Sequence, residues 1–165
     1  MCGFLESPNK DKSRGGYKPE AIVIHICDGT FEGTKEWFLN PASKVSAHFL
    51  ISEKGEVLQM VDCADTAWHA GGVKNPTWRL LKPNVNPNKY TIGIELAGFA
   101  KNSPPAFQIL MAGRLAAKLC REYNIKIDGE HIIPHRWITS AKTCPGFFIN
   151  VDVIIYLAIL SFNER

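Results

Sequence analysis

Apolar and polar positions along the chain divide into segments of two periods. "AIVIHIC" (Ala21 to Cys27) is a continuous apolar run of strand length, the pattern of a central strand buried on both faces. "TIGIELA" (Thr91 to Ala97) is a second such strand. "SAHFLI" and "EVLQMV" flank Ser52-Glu53-Lys54-Gly55 and predict a β-hairpin with Gly55 in the turn. "HIIPH" predicts a strand ending at His135. Helical patterns lie between these strands. "TKEWFL" (Thr34 to Leu39) predicts a short helix stopped by Asn40-Pro41. A long helix is expected after Ser103, with Ser103 as cap and Pro104 in the first turn. Phe107, Met111, Leu115, Leu119 and Tyr123 then recur every four residues until Asn124 closes the run. "VDVIIYLAILSF" predicts a terminal helix that buries most of its surface. The order β, short α, hairpin, β, long α, β, α implies one α/β domain, a central mixed β-sheet flanked by helices. A polar arm is expected over residues 1–18 and the folded domain over 19–165.

Composition narrows the class. A chain of 165 residues is long enough for one sizeable core. Its net charge of +3 comes without a Lys/Arg cluster, which argues against nucleic acid as a partner. The longest apolar run falls far short of the ~20 residues a membrane span needs, so no membrane insertion is expected. "MCGFLESPNKDKSRGG" has no apolar core of a signal peptide, which predicts a protein cytoplasmic as synthesised, and a monomer is expected. The five cysteines Cys2, Cys27, Cys63, Cys120 and Cys144 are odd in number and lack CxxC spacing, which predicts free thiols in a reducing compartment. Cys27 and Cys120 sit in apolar runs and read as small core residues. Cys144 has polar neighbours and is followed by Pro145-Gly146, a different setting.

A hydrolytic zinc site needs three protein ligands and an open position. His25 ends a buried strand, where an imidazole is costly unless it is hydrogen-bonded or ligating. Taken singly it reads as a satisfied core residue or a ligand. His135 also ends a strand, and neighbouring strand ends of one sheet edge can bring two such side chains together. Cys144, on the loop that follows, can swing back as a third ligand. Lys142, two residues before it, is either a solvated loop lysine or a second positive group beside an oxyanion. Glu95 lies among Ile92, Ile94 and Leu96, an apolar setting in which a carboxylate is expensive unless paired or used. It is a candidate general base or the partner of a cation on the sheet.

Taken together, "IVIH", "VSAHFLISEKGEV", "AWHAG", "YTIGIELAG" and "HRWITSAKTCPG" resemble, in order, the motifs of the zinc-dependent N-acetylmuramoyl-L-alanine amidases. That group includes phage endolysins, cytoplasmic muropeptide amidases and peptidoglycan recognition proteins. The resemblance covers about residues 20 to 146. It implies one Zn²⁺ per chain on His25, His135 and Cys144, with Glu95 and Lys142 as the catalytic pair. His131 competes for the second ligand position, but "EHIIPH" matches the family's "ENIVGH" at its terminal histidine. Trp68 and His69 fall where the family forms the groove wall, and they read as substrate-binding residues or as aromatics capping the core.

Two departures from the family pattern carry information. Many phage members have a tyrosine before the histidine of the hairpin strand, where this chain has Ala47, so Glu95 is expected to act as base alone. If Ala47 faces the site, strand alternation turns His48 away as a hydrogen-bonded core residue. Members that process anhydro-muropeptides tend to carry an arginine directly before the catalytic lysine, and here the residue is Ala141. The resemblance therefore implies hydrolysis of the amide between N-acetylmuramic acid and L-alanine in peptidoglycan, as a cell-wall-lysing endolysin. The alternatives are a non-catalytic peptidoglycan-binding module of the same fold and an amidase that also regulates a protein partner.

Overall fold

The computed structural model describes residues 3–164. Cys2 lies outside them. Two short strands come first, β1 (Gly3–Phe4) and β2 (Lys10–Asp11), followed by β3 (Ala21–Ile26). Next are α1 (Phe31–Leu39), the hairpin β4 (Phe49–Ile51) and β5 (Val57–Gln59), and β6 (Thr66–Ala67). The second half contains β7 (Thr91–Leu96), α2 (Ala106–Tyr123), β8 (Ile132–Pro134) and α3 (Val151–Asn163). The main sheet runs β1-β5-β4-β7-β3-β8. Strands β4, β7, β3 and β8 are mutually parallel, and β5 is antiparallel to β4. The expected single α/β domain with a mixed sheet is what forms.

Alternation along β3 and β7 divides the core in two. Ile22, Ile24, Ile92, Ile94 and Leu96 face α2 and α3, where they pack on Ala112, Leu115, Ala116, Leu119, Ile154 and Ala158. Ala21 and Val23 point the other way, against Trp78, Tyr90, Ile133 and Ile138. Farther along that second face α1 covers Ala47, Leu50 and Met60 with Phe38. A Cβ on Gly113 of α2 would lie 2.5 Å from the Leu157 Cβ. The bare glycine is what lets α3 approach so closely.

Three sequence expectations differ in detail. α1 begins at Phe31, because the Thr30 hydroxyl caps it by accepting from the Gly33 N–H at 3.1 Å. α2 begins at Ala106 without a side-chain cap, so Ser103 is not its N-cap. Pro105 restricts Pro104 to extended backbone and pushes the first helical turn downstream. α3 does not bury most of its surface. Val151, Ile154 and Ala158 form its buried stripe, whereas Val153, Tyr156, Ile159, Leu160 and Phe162 are exposed, since α2 meets one side of the helix. The hairpin is as expected: Ser52 N donates to Glu56 O at 2.9 Å and Gly55 sits at φ 81°.

Residues 3–18 run along the domain and pair with it. β1 joins β5 at the sheet edge and β2 pairs with β6. Arg14 is 4% exposed, and its guanidinium donates to the carbonyls of Cys63, Asn88, Lys89 and Thr91.

Candidate active site

Because β3, β7 and β8 are parallel, their carboxyl ends lie at one sheet edge, the position where open α/β sheets offer a crevice. Register decides which side chains meet there. His25 is paired with Glu95, so both project from the same face, and Ile24 is opposite Pro134, which puts His135 next in line beside His25. The rings of His25 and His135 are 4.5 Å apart between centroids.

The chain after β8 folds back over this edge. Arg136 N donates to Cys144 O at 2.9 Å, closing the loop, and the Ile26 N–H points at Cys144 Sγ from 3.4 Å. Cys144 Sγ is thereby held 3.8 Å from His25 Nδ1. One donor atom from each of His25, His135 and Cys144 lies within 4.8 Å of the other two, a spacing that fits three ligands around a single cation. His131 is bonded to Asp128 Oδ1 at 2.7 Å and takes no part.

Glu95 Oε1 is 3.9 Å from His25 Nδ1, and Glu95 Oε2 is buried with no hydrogen-bond partner among the described residues. A carboxylate oxygen left bare in the interior is costly, and a site facing a cation and a polar substrate is where that cost has a use. Burial raises the Glu95 carboxyl to about 7, against smaller opposing effects from the Cys27 thiol, which donates to it, and from Lys142. His25, His48 and His69 are all held well below the usual histidine range, chiefly by burial. His135 is lowered to about 4 by burial and then by Lys142. All four rings are therefore neutral at pH 7, the form in which imidazole binds a metal. Burial pushes the Cys144 thiol up to about 12, with Glu95 adding to the effect. A cation bound there reverses this, because thiolate is the ligating form and metal binding expels the proton.

These groups open onto a cleft of about 1010 Å³, lined among others by Trp37, Trp68, His69, Ala141 and Lys142. A profile of proteins described as N-acetylmuramoyl-L-alanine amidases matches residues 15–147. The chain belongs to this family. N-acetylmuramoyl-L-alanine amidase A of Achromobacter lyticus is 33% identical over 134 residues, which are 74% of this chain and 68% of the relative. The 1,6-anhydro-N-acetylmuramyl-L-alanine amidase AmpD of Haemophilus influenzae is 28% identical over 168 residues, 90% and 88% of the two chains. In fold, the amidase matches the crystal structure of an AmpD derivative with a TM-score of 0.77 at 24% identity, covering 94% and 93%.

All seven site residues named from the amidase sequence line this cleft. Trp68 is fixed at its wall by a backbone N–H that donates to Ser46 Oγ at 2.9 Å. His69 extends from the wall to the back of His25, with 3.0 Å between His69 Nδ1 and His25 Nε2. His48 is fully buried, with Nδ1 accepting from the Gly93 N–H at 3.0 Å, a hydrogen-bonded core histidine as expected. It is not turned to the opposite face, however: Leu50 is in register with Glu95, so His48 shares the Glu95 face with its ring 5.5 Å from that of His69, and Ala47 is buried beneath α1.

Sequence reasoning missed two contributors. Cys27 was expected to be a plain core residue, but its thiol donates to Glu95, and burial keeps it protonated. Its position directly after the "AIVIHI" run, level with the histidine end of the strand, is the signal that would have found it. Arg14 lay in a segment read as a polar arm, and nothing local in "KSRGG" announces a buried guanidinium.

Proposed function

We propose that this amidase is zinc-dependent and cuts the amide between N-acetylmuramic acid and L-alanine in polymeric cell wall, in the manner of an endolysin. The observation that carries the reading is the unpartnered Glu95 Oε2 beside a compact trio of two imidazoles and one thiol. Two nitrogen donors and one sulfur donor with a fourth side left open suit Zn²⁺ better than Mg²⁺ or Ca²⁺, which favour oxygen ligands. His25, His135 and Cys144 would hold the ion, and when bound it supplies Lewis acidity toward the scissile carbonyl and the attacking water.

The chain's own groups do the rest. Glu95, with its carboxyl raised toward neutrality, takes the proton of the water as the water oxygen attacks the lactyl carbonyl carbon. The Cys27 thiol donates to that carboxylate and steadies it. Lys142, whose charge already acts on Glu95, His25 and His135, supports the oxyanion of the tetrahedral intermediate. Glu95 returns its proton to the leaving nitrogen. The C–N bond breaks, and a lactyl carboxylate and a free L-alanine amine leave. Trp68 and the exposed Trp37 offer aromatic walls to the glycan or the stem peptide.

A polymer substrate is favoured by Ala141, where family members acting on anhydro-muropeptides tend to carry an arginine. The similarity to AmpD over 90% of this chain supports a second reading, action on soluble muropeptides. One experiment tests both. The zinc-loaded protein is incubated with purified sacculi and, separately, with soluble anhydro-muropeptides, and new termini are identified by mass spectrometry. Release of L-alanine amines from sacculi is expected. Cleavage confined to the soluble fragments would select the second reading, and full activity of chelator-treated protein would remove zinc.

A further inference from the structure

His69 is too well anchored for a groove-wall side chain. Its backbone N–H donates to Asn88 Oδ1 at 3.1 Å, and the neighbouring Ala70 N–H donates to the same oxygen at 2.6 Å. Its ring sits over β7, where a Cβ on Gly93 would come within 2.6 Å of the His69 Cγ. A glycine in the middle of a buried strand weakens it unless something needs the space, and here the imidazole occupies it.

The hydrogen-bond directions along this ring have one consistent solution. The Thr91 hydroxyl has a single proton, and it goes to Pro87 O at 2.8 Å. Thr91 Oγ1 therefore presents a lone pair to His69 Nε2, 3.3 Å away, and His69 carries its proton on Nε2. His69 Nδ1 is then an acceptor, and the group facing it at 3.0 Å, His25 Nε2, must be the donor. With its proton on Nε2, His25 has its lone pair on Nδ1. That is the nitrogen 3.8 Å from Cys144 Sγ and 3.9 Å from Glu95 Oε1.

We infer that His69 is a positioning residue: together with Thr91 it locks His25 in the tautomer whose bare Nδ1 faces Cys144 and the metal position. Thr91, Gly93 and Glu95 alternate along one face of β7, so one strand face serves in turn as anchor, berth and carboxylate. A ligand histidine held this way has its orientation fixed and its basicity raised before the ion arrives, and loss of such a support typically lowers metal affinity 10–100-fold. The inference rests on the proposed metal site, but its first test does not.

Nitrogen chemical shifts of the histidine side chains in the full chain, stripped of metal at neutral pH, read the tautomers directly. Protonated Nε2 on both His25 and His69 is expected, and a proton on His25 Nδ1 would overturn the inference whether or not zinc binds. The second test is zinc affinity by chelator competition. His69→Phe keeps a ring over Gly93 but removes the acceptor, and about 10–100-fold weaker binding is expected. His69→Asn places an amide oxygen near the position of Nδ1, and affinity within a few-fold of the parent is expected. Equal affinity for the parent and the phenylalanine variant, or equal losses in both variants, would reduce His69 to a packing residue. If the phenylalanine variant does not fold, the parent's ring shifts and the asparagine variant still decide. A parent that binds no zinc would sink the metal site and leave the tautomer result standing.

Discussion

The two faces of β7 are made from the same six residues and are chemically unlike. Ile92, Ile94 and Leu96 press into the helices with no polar atom among their side chains. Thr91, Gly93 and Glu95 face the cleft side, and each is spent on a polar or steric task. The helix face gains from every buried methylene, about 25 cal/mol per Å² removed from water. The cleft face buries three neutral histidines and a carboxyl, which costs stability unless partners are supplied. Damage to the two faces should therefore register differently. Changes on the helix face should alter how much protein is folded, and changes on the cleft face should alter what the folded protein does.

The largest effect on turnover is expected from Cys144→Ser. A neutral hydroxyl is a much poorer zinc ligand than a thiolate, so bound zinc, thermal stability and hydrolysis of sacculi should fall together. Metal analysis that finds zinc retained in an active serine variant would show Cys144 to be a bystander. Lys142→Ala should separate those readouts, with the metal kept and the rate lower by ~10²–10³, the usual cost of one oxyanion donor. An unchanged rate would return Lys142 to the solvent.

Glu95→Gln should also keep its metal and lose ~10² or more in rate, since an amide cannot take a proton and Ala47 offers no phenol in its place. A rate within a few-fold of the parent would make Glu95 structural. The same variant also changes how stability depends on pH. The folded-state value of about 7 lies above the ordinary 4.5, so the neutral carboxyl is favoured by folding. Its contribution is full below pH 4.5 and is lost as pH rises through 7. Metal-stripped Glu95→Gln should therefore lack a decline in unfolding free energy, on the order of 3 kcal/mol, that the parent shows across that window. Parallel urea-denaturation profiles would contradict it. The smallest effect on turnover is expected from Ile94→Ala, on the other face of the strand. It should cost about 2–5 kcal/mol of stability while the folded fraction keeps its zinc and its rate per site. A rate loss larger than the unfolded fraction explains would mean that the two faces are coupled.

Much of this was legible in the chain because strand ends and apolar runs are local signals. "AIVIHI" and "TIGIEL" stand out against their surroundings, and a histidine or glutamate inside such a run is conspicuous. The order of motifs then pointed to seven residues, and the fold brings all seven to one cleft. Other features depend on partners distant in sequence. Pro105 acts on Pro104 to delay α2. The outer stripe of α3 stays exposed because α2 covers only one side of that helix. The link from Thr91 to His69 joins residues whose types say nothing of each other until the fold is known.

Arg14 has a consequence for how the molecule comes together in time. It is made early, yet its four carbonyl acceptors run from Cys63 to Thr91, and β1 and β2 pair with strands that begin at Val57 and Thr66. Arg14 must therefore wait for roughly seventy-odd further residues before its last acceptors exist, a long loop closed late and at an entropic cost. Until then Asn88, which holds His69, and Thr91, which orients it, belong to a backbone whose carbonyls lack their donor. A protein starting at residue 19 should accordingly show faster amide exchange over residues 88–91 than the whole chain, with α2 and α3 unaffected. Such a segment acts as the latch on a cleft that none of its described residues lines.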